Sequence, residues 1–151
     1  VLDAGALERL LRSLAVIGPQ LAGVPRREEI PAELGIGEAR LLWVLEQAPE
    51  PPAVGEVAAA LALPLPRTSQ ILGDLEARGL VERERAPADR RRVTVRLSAR
   101  GGRLVAVLRL AQQERVERLL GVLGPRDAEQ LVRIFERAAQ RLDPAPKVGM
   151  P

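Results

Sequence analysis

Apolar residues recur at three- and four-residue steps along most of this chain, and at two-residue steps in one short stretch. Leu7, Leu10, Leu11, Leu14 and Ile17 form one stripe, so the first segment reads as an amphipathic helix. Asp3 is a suitable N-cap for it. Gly18-Pro19 is expected to end or kink that helix, because proline lacks the amide that the next turn needs. Residues 18–36, rich in Pro and Gly, read as a loop with a short helical turn. A second helix is predicted over 38–48, with Leu41, Leu42 and Leu45 on one face and Pro49-Glu50-Pro51-Pro52 as its stop.

Two short helices follow in close succession. Val54, Val57, Ala58 and Leu61 fit the i, i+3, i+4, i+7 pattern, and Thr68, Ile71, Leu72 and Leu75 repeat it. Pro64-Leu65-Pro66 separates the pair, and Gly79 stands where a left-handed residue closes the second helix. The period then changes to two. Residues 80–85 make a short strand, Ala86-Pro87-Ala88-Asp89 a turn, and 91–98 a second strand with Val93, Val95 and Leu97 on one face. Ser98 can cap a long helix over 99–123, striped by Leu104, Val107, Leu108, Ala111, Val116, Leu119 and Leu123. Gly124-Pro125 breaks it. A last helix over 126–142 carries Leu131, Ile134, Phe135, Ala138 and Leu142, and 143–151 reads as a flexible tail. Helix, helix, tight joint, helix and hairpin is the order of a winged helix-turn-helix. The expected fold class is therefore mainly α with a small β-wing.

Composition narrows the chemistry. A chain of 151 residues with 46 % hydrophobic content suits one domain with helical extensions. Trp43 and Phe135 are its only aromatics, so aliphatic side chains must fill the core. No apolar run approaches the roughly 20 residues of a membrane span, and the chain reads as soluble and cytoplasmic. Cys, His, Tyr and Asn are absent, and Lys147 is the only lysine. Thiol chemistry, imidazole acid/base catalysis and an ordinary zinc site are excluded. No enzyme activity, metal or cofactor is expected.

The net charge of +3 conceals a division. Residues 1–64 carry 5 basic and 9 acidic groups; residues 65–103 carry 10 and 5; residues 104–151 carry 8 and 6. The basic block holds Arg83, Arg85, Arg90, Arg91, Arg92, Arg96, Arg100 and Arg103. Concentrated positive charge of this kind is either a polyanion-binding surface or a solvated face. Its position favours the first. The stripe that pins 65–78 to the domain leaves Arg67, Gln70, Gly73 and Asp74 outside, and an α-helix fits the DNA major groove. There Arg pairs with guanine and Gln with adenine. Ser69 and the helix N-terminus suit a phosphate. Gly73 would let backbone and DNA approach closely. The hairpin tip, Asp89-Arg90-Arg91-Arg92, suits a neighbouring minor groove. Arg83, Arg85 and Arg96 have two readings, as DNA contacts or as partners of Glu82 and Glu84. Arg78 reads as structural, for instance bracing the wing through Asp89. Trp43 reads first as core.

Leu75-Glu76-Ala77-Arg78-Gly79-Leu80-Val81-Glu82-Arg83, followed by Asp89, Arg91, Val95, Leu97, Ser98 and Gly101 at fixed spacing, resembles the MarR-type regulators, whose wing pattern is Asp-x-Arg-x-x-x-Val-x-Leu-Thr-x-x-Gly. The resemblance implies a homodimer that binds a pseudo-palindromic operator in double-stranded DNA, most simply as a repressor, and releases it to a small-molecule effector. It implies dimerisation by 1–36 and 99–142, and DNA binding by 37–98 through recognition helix 65–78 and wing 80–98. Arg67, Ser69 and Gln70 map onto recognition-helix positions, Arg90 and Arg91 onto the wing tip. Asp89 would orient a neighbouring Arg, since a carboxylate repels phosphate. Trp43 lies on the helix that borders the effector pocket in that family. Pro64-Leu65-Pro66, in place of a Ser or Asp cap, and Gly18-Pro19 depart from the family pattern. The alternative is a winged-helix protein–protein interaction module without specific DNA binding; the arginine-rich tip argues against it.

Overall fold

A computed structural model describes residues 3–21, 23, 25–86, 89 and 91–142. Among the described residues, six α-helices and one hairpin follow one another as α1 (Ala4–Leu21), α2 (Ile36–Gln47), α3 (Val54–Leu61), α4 (Leu65–Ala77), β1 (Val81–Arg85), β2 (Val93–Leu97), α5 (Ala99–Leu123) and α6 (Pro125–Leu142). A 3₁₀ turn at Arg27–Glu29 precedes α2. The chain divides into two compact units, residues 22–113 and residues 1–21 with 114–151. Arg90 and the tail 143–151 lie outside the described residues.

The unit of residues 22–113 is built on aliphatic packing, as the shortage of aromatics requires. Leu41, Leu42, Val57, Leu72, Leu75, Leu80, Val95 and Val105 are buried in one cluster, with Trp43 at its margin. Three elements start on a shared device. Glu29, Glu38 and Glu56 each reach back to accept the amide three residues earlier, of Arg26, Gly35 and Ala53, at 2.9, 2.8 and 2.6 Å. This is the glutamate half of a capping box, working where the cap residue has no side-chain oxygen to offer. The joint between α3 and α4 turns on Ala62, whose φ of 53° is left-handed; Leu63 N–H closes it on the Ala58 carbonyl at 3.0 Å. Gly79, with φ 69°, closes α4 in the same way, and Leu80 N–H bonds Leu75 O at 2.9 Å.

The hairpin pairs Val81 with Leu97 and Arg85 with Val93, antiparallel. A bridge from Ala53 to Thr94, with Val95 N–H on the Pro52 carbonyl at 2.9 Å, lays the entry to α3 along the other edge of β2. Ser98 caps α5 through Gly101 N–H at 3.0 Å and holds the Gly79 carbonyl at 2.6 Å. Gly101 is required there by space, since a Cβ would run into the Leu80 carbonyl oxygen.

In the helical unit Asp3 caps α1, accepting Ala6 N–H at 2.6 Å. Of the two outcomes expected at Gly18-Pro19, an end or a kink, the end does not occur, since α1 continues to Leu21. Proline this close to a helix end forfeits one backbone hydrogen bond in a turn whose bonding is already incomplete. Arg115 of α5, buried to 2 % exposure, donates from Nε to the Gln20 carbonyl at 3.0 Å and so satisfies part of that helix end. By contrast Leu10, Leu14, Ile134 and Phe135 are all more than two-fifths exposed. An apolar cavity of about 330 Å³ lies among them, with Ile17, Leu119 and Leu131; Ser13 is its one polar residue.

Candidate nucleic-acid interface

Helix α4 divides cleanly into an anchored and an open face. Thr68, Ile71, Leu72 and Leu75 are buried, and Thr68 Oγ1 donates to the Pro64 carbonyl at 3.2 Å. Opposite them Leu65, Pro66, Arg67, Gln70 and Asp74 are exposed, and Ser69 and Gly73 half-buried. Arg67 Nη1 donates to Gln70 Oε1 at 2.8 Å. The pair engages the amide oxygen of Gln70, and its NH₂ group is the remaining donor. Beyond Gly73 there is open space. At the helix start Pro64 and Pro66 have no N–H, and Thr68 N–H is spent on Pro64 O at 3.0 Å, so the first turn offers few donors to a phosphate. Leu65, 52 % exposed, puts an apolar surface at the same end.

The hairpin sorts its arginines by partner. Arg96 lies between Glu82 and Glu84, at 2.6 and 2.8 Å. Arg83 pairs with Glu76 of α4 at 3.2 Å. Arg92 donates to both carboxylate oxygens of Glu56, at 3.0 and 2.8 Å. Arg85 and Arg91 have no ion-pair partner among the described residues. Exposed pairs of this kind add little stability, about 0–1 kcal/mol each, so their effect is to orient side chains and cancel charge. Among the described residues of α4 and the wing, what is left uncancelled is Arg67, Arg85 and Arg91.

One expectation needs correction, and another becomes specific. Arg78 is structural, but its partners are Glu38 at 2.9 Å and the Glu33 carbonyl at 2.6 Å, not Asp89. It ties the end of α4 to the start of α2. Asp89 orders the tip through the backbone, Oδ1 accepting Arg91 N–H at 2.9 Å and its carbonyl accepting Arg92 N–H at 2.9 Å. A short side chain in a turn finds the nearby amide before any guanidinium. Glu56 was not foreseen as part of this surface. Its signal was legible: a capping glutamate uses one oxygen locally and has a second to give. The Ala53 amide and then Arg92 hold its carboxyl below the ordinary glutamate range.

Trp43 is 7 % exposed within the core, and Gly23 makes room for its indole; a Cβ at Gly23 would stand 3.0 Å from Nε1. Among the described residues no three His, Cys, Asp or Glu side chains gather as metal ligands, and no helix is long and apolar enough to cross a membrane.

Comparison with known proteins bears on this geometry. A family model described as the MarR family matches residues 33–92, from the approach to α2 through the wing tip. No curated protein matches the chain. Among solved structures, the transcriptional regulator Tm0710 from Thermotoga maritima is similar at 18 % identity and TM-score 0.63, over 92 % of this chain and 95 % of that one. A MarR transcriptional regulator from Methanosarcina mazei Go1 is similar at 19 % and 0.62, over 89 % and 96 %. S. aureus MepR is similar in two states. A mutant bound to an oligodeoxyribonucleotide matches at 20 % and 0.53, over 94 % and 99 %. The form bound to ethidium bromide matches at 19 % and 0.60, over 93 % and 97 %.

Proposed function

We propose that this chain, whose residues 33–92 match the MarR family model and whose fold is similar to that of transcriptional regulators, is a dimeric, sequence-specific DNA-binding regulator that releases its operator to a small ligand. The supporting observation is the sorting of arginines. Paired ones brace the wing, while Arg67, Arg85 and Arg91 are presented without a carboxylate partner on α4 and the hairpin. Arg67 and Gln70 read base edges in the major groove; Arg91, with Arg90, enters the adjacent minor groove. Arg85 meets the phosphate backbone, and Ser69 contributes a hydroxyl to it. Arg83 acts from its pair with Glu76, as a reserve of charge at the edge of the interface.

The exposed apolar face of α1 and α6 is the dimer interface in this reading, and two wings then read a pseudo-palindrome in the manner of a repressor. The likeness to MepR bound to an oligodeoxyribonucleotide and to ethidium bromide supports both the DNA partner and a small-molecule effector. Without Cys or His, the effector acts non-covalently; Trp43 is the reporter for its binding.

Selection of bound duplexes from a random pool tests the reading. A consensus with two-fold symmetry is expected, bound at least 1,000-fold tighter than random duplex. Equal affinity for both at moderate salt would overturn it. Arg91→Ala should weaken binding to every sequence and reduce the salt slope by about one per wing. Gln70→Ala should instead change which base is preferred at one position of each half-site.

A further inference from the structure

We infer that Glu56 is a positioning residue for DNA binding: through Arg92 it sets where the wing tip stands, and so where Arg91 meets the duplex. The inference rests on the DNA-binding reading and adds to it a residue on another helix. Glu56 lies on α3, 36 positions before Arg92 in sequence, and accepts Arg92 Nη2 on each of its carboxylate oxygens. The same carboxylate accepts the Ala53 amide at 2.6 Å, so it is anchored before it anchors anything else. Pro52 and Ala53 already run along β2, through Val95 N–H and the bridge to Thr94. The ion pair extends that attachment to Arg92, where the strand gives way to the tip. Arg92 is also the residue that closes the tip, its carbonyl accepting Ala86 N–H at 2.8 Å and its amide donating to Asp89 O at 2.9 Å. A five-residue two-stranded hairpin with no such tie frays at its end. Arg91 sits one residue beyond the tie.

Charge and position make opposite forecasts. Glu56 is an acidic group beside a polyanion-binding surface, and on charge alone its removal should tighten binding and free Arg92 for a phosphate. As a positioning residue its removal should weaken binding. Glu56→Gln separates the two, since the amide oxygen can still accept Ala53 N–H while the charge that holds Arg92 is gone. In the full chain, with the selected duplex, a loss of about five- to tenfold in affinity is expected, the size of re-ordering one loop per protomer. Arg92→Gln should lose a similar factor, and the double variant should lose no more than either single one. Without DNA, the Ala86 and Arg92 amides should exchange hydrogen at least ten times faster in Glu56→Gln, while Ser98 N–H at the hairpin base is unchanged. Equal or tighter binding by Glu56→Gln overturns the positioning role, as does loss of affinity without faster exchange at the tip. If the wild-type chain binds no duplex, the DNA-binding reading falls first, and the positioning role falls with it.

Discussion

Every buried hydrophobic side chain among the described residues, from Ile30 to Leu108, belongs to the unit of residues 22–113, whereas the one buried side chain of the helical unit is an arginine, Arg115. Both units are rich in leucine and both are helical. The winged unit spends its apolar residues on itself, on Leu41, Leu72, Leu75 and their neighbours. Its outward side chains are thereby free to be polar and to carry function. The helical unit leaves Leu11 58 % and Phe135 49 % exposed. Contiguous exposed apolar surface of this kind marks an interaction face. In the dimeric reading proposed above, the second copy covers that face, and the winged unit needs no such cover.

The strongest way to break this comparison is to put a charge into the apolar cavity of the helical unit. Leu14→Asp should give a monomer at micromolar concentration in light scattering and lower the affinity for a two-half-site duplex about 100-fold or more, because the second half-site is no longer tethered. Trp43, the only tryptophan, sits in the core of the winged unit. Its emission should be unchanged. A variant that stays dimeric, or one that loses the Trp43 signal as well, would show that the two units are not distinct in this sense.

A disturbance placed in the winged unit should have the opposite profile. Gly101→Ala forces a methyl against the Leu80 backbone, which cannot move without pulling Ser98 N–H from the same carbonyl, now at 3.0 Å. Overpacking against backbone should cost about 2–3 kcal/mol, read as a lower denaturant midpoint by Trp43 fluorescence. The adjacent glycine makes the control. Gly102 has open space where a Cβ would go, so Gly102→Ala should leave the midpoint unchanged or raise it slightly.

The two units also differ in how far their arrangement could be read in advance. Helical and strand periods located α2 to α5 within two residues, and the fixed-spacing motif marked the wing, because these depend on neighbours a few positions away. Partners were harder. Arg78 finds Glu38 and Arg92 finds Glu56 across 40 and 36 residues, separations at which any exposed carboxylate is an equal candidate in the sequence. No sequence signal marked Arg115, whose burial against the Gln20 carbonyl depends on α1 running past Pro19. Local rules saw proline as a stop there; the helix end absorbed it.

A smaller change should sharpen the picture of the winged unit. Ala62 holds φ at 53° in the joint between α3 and α4, a conformation that favours glycine. Ala62→Gly should relieve that strain by about 1 kcal/mol, less the entropy that glycine adds to the unfolded chain. A net rise in stability of a few tenths of a kcal/mol is expected in urea melts followed by Trp43. A fall would mean that the joint is held by its flanking contacts and not limited by its backbone.

The smallest effect concerns the tie between α3 and the wing. The Ala53 amide, and after it Arg92, lower the carboxyl of Glu56 from its ordinary value of 4.5. A carboxylate whose folded-state value is depressed contributes stability that is present above the unfolded value and lost as pH falls through the folded one. The contribution should therefore be constant from neutral pH down to about 5 and fade below about 4.5. The quantity to follow is a difference. Wild type minus Glu56→Gln, measured as tip-amide exchange at each pH, should be level near neutrality and shrink toward zero in acid. The same difference in the amides around Gly101, at the base of the wing, should be near zero throughout. A difference at the tip that persists undiminished at about pH 3 would mean that the neutral acid holds Arg92 as well as the carboxylate does.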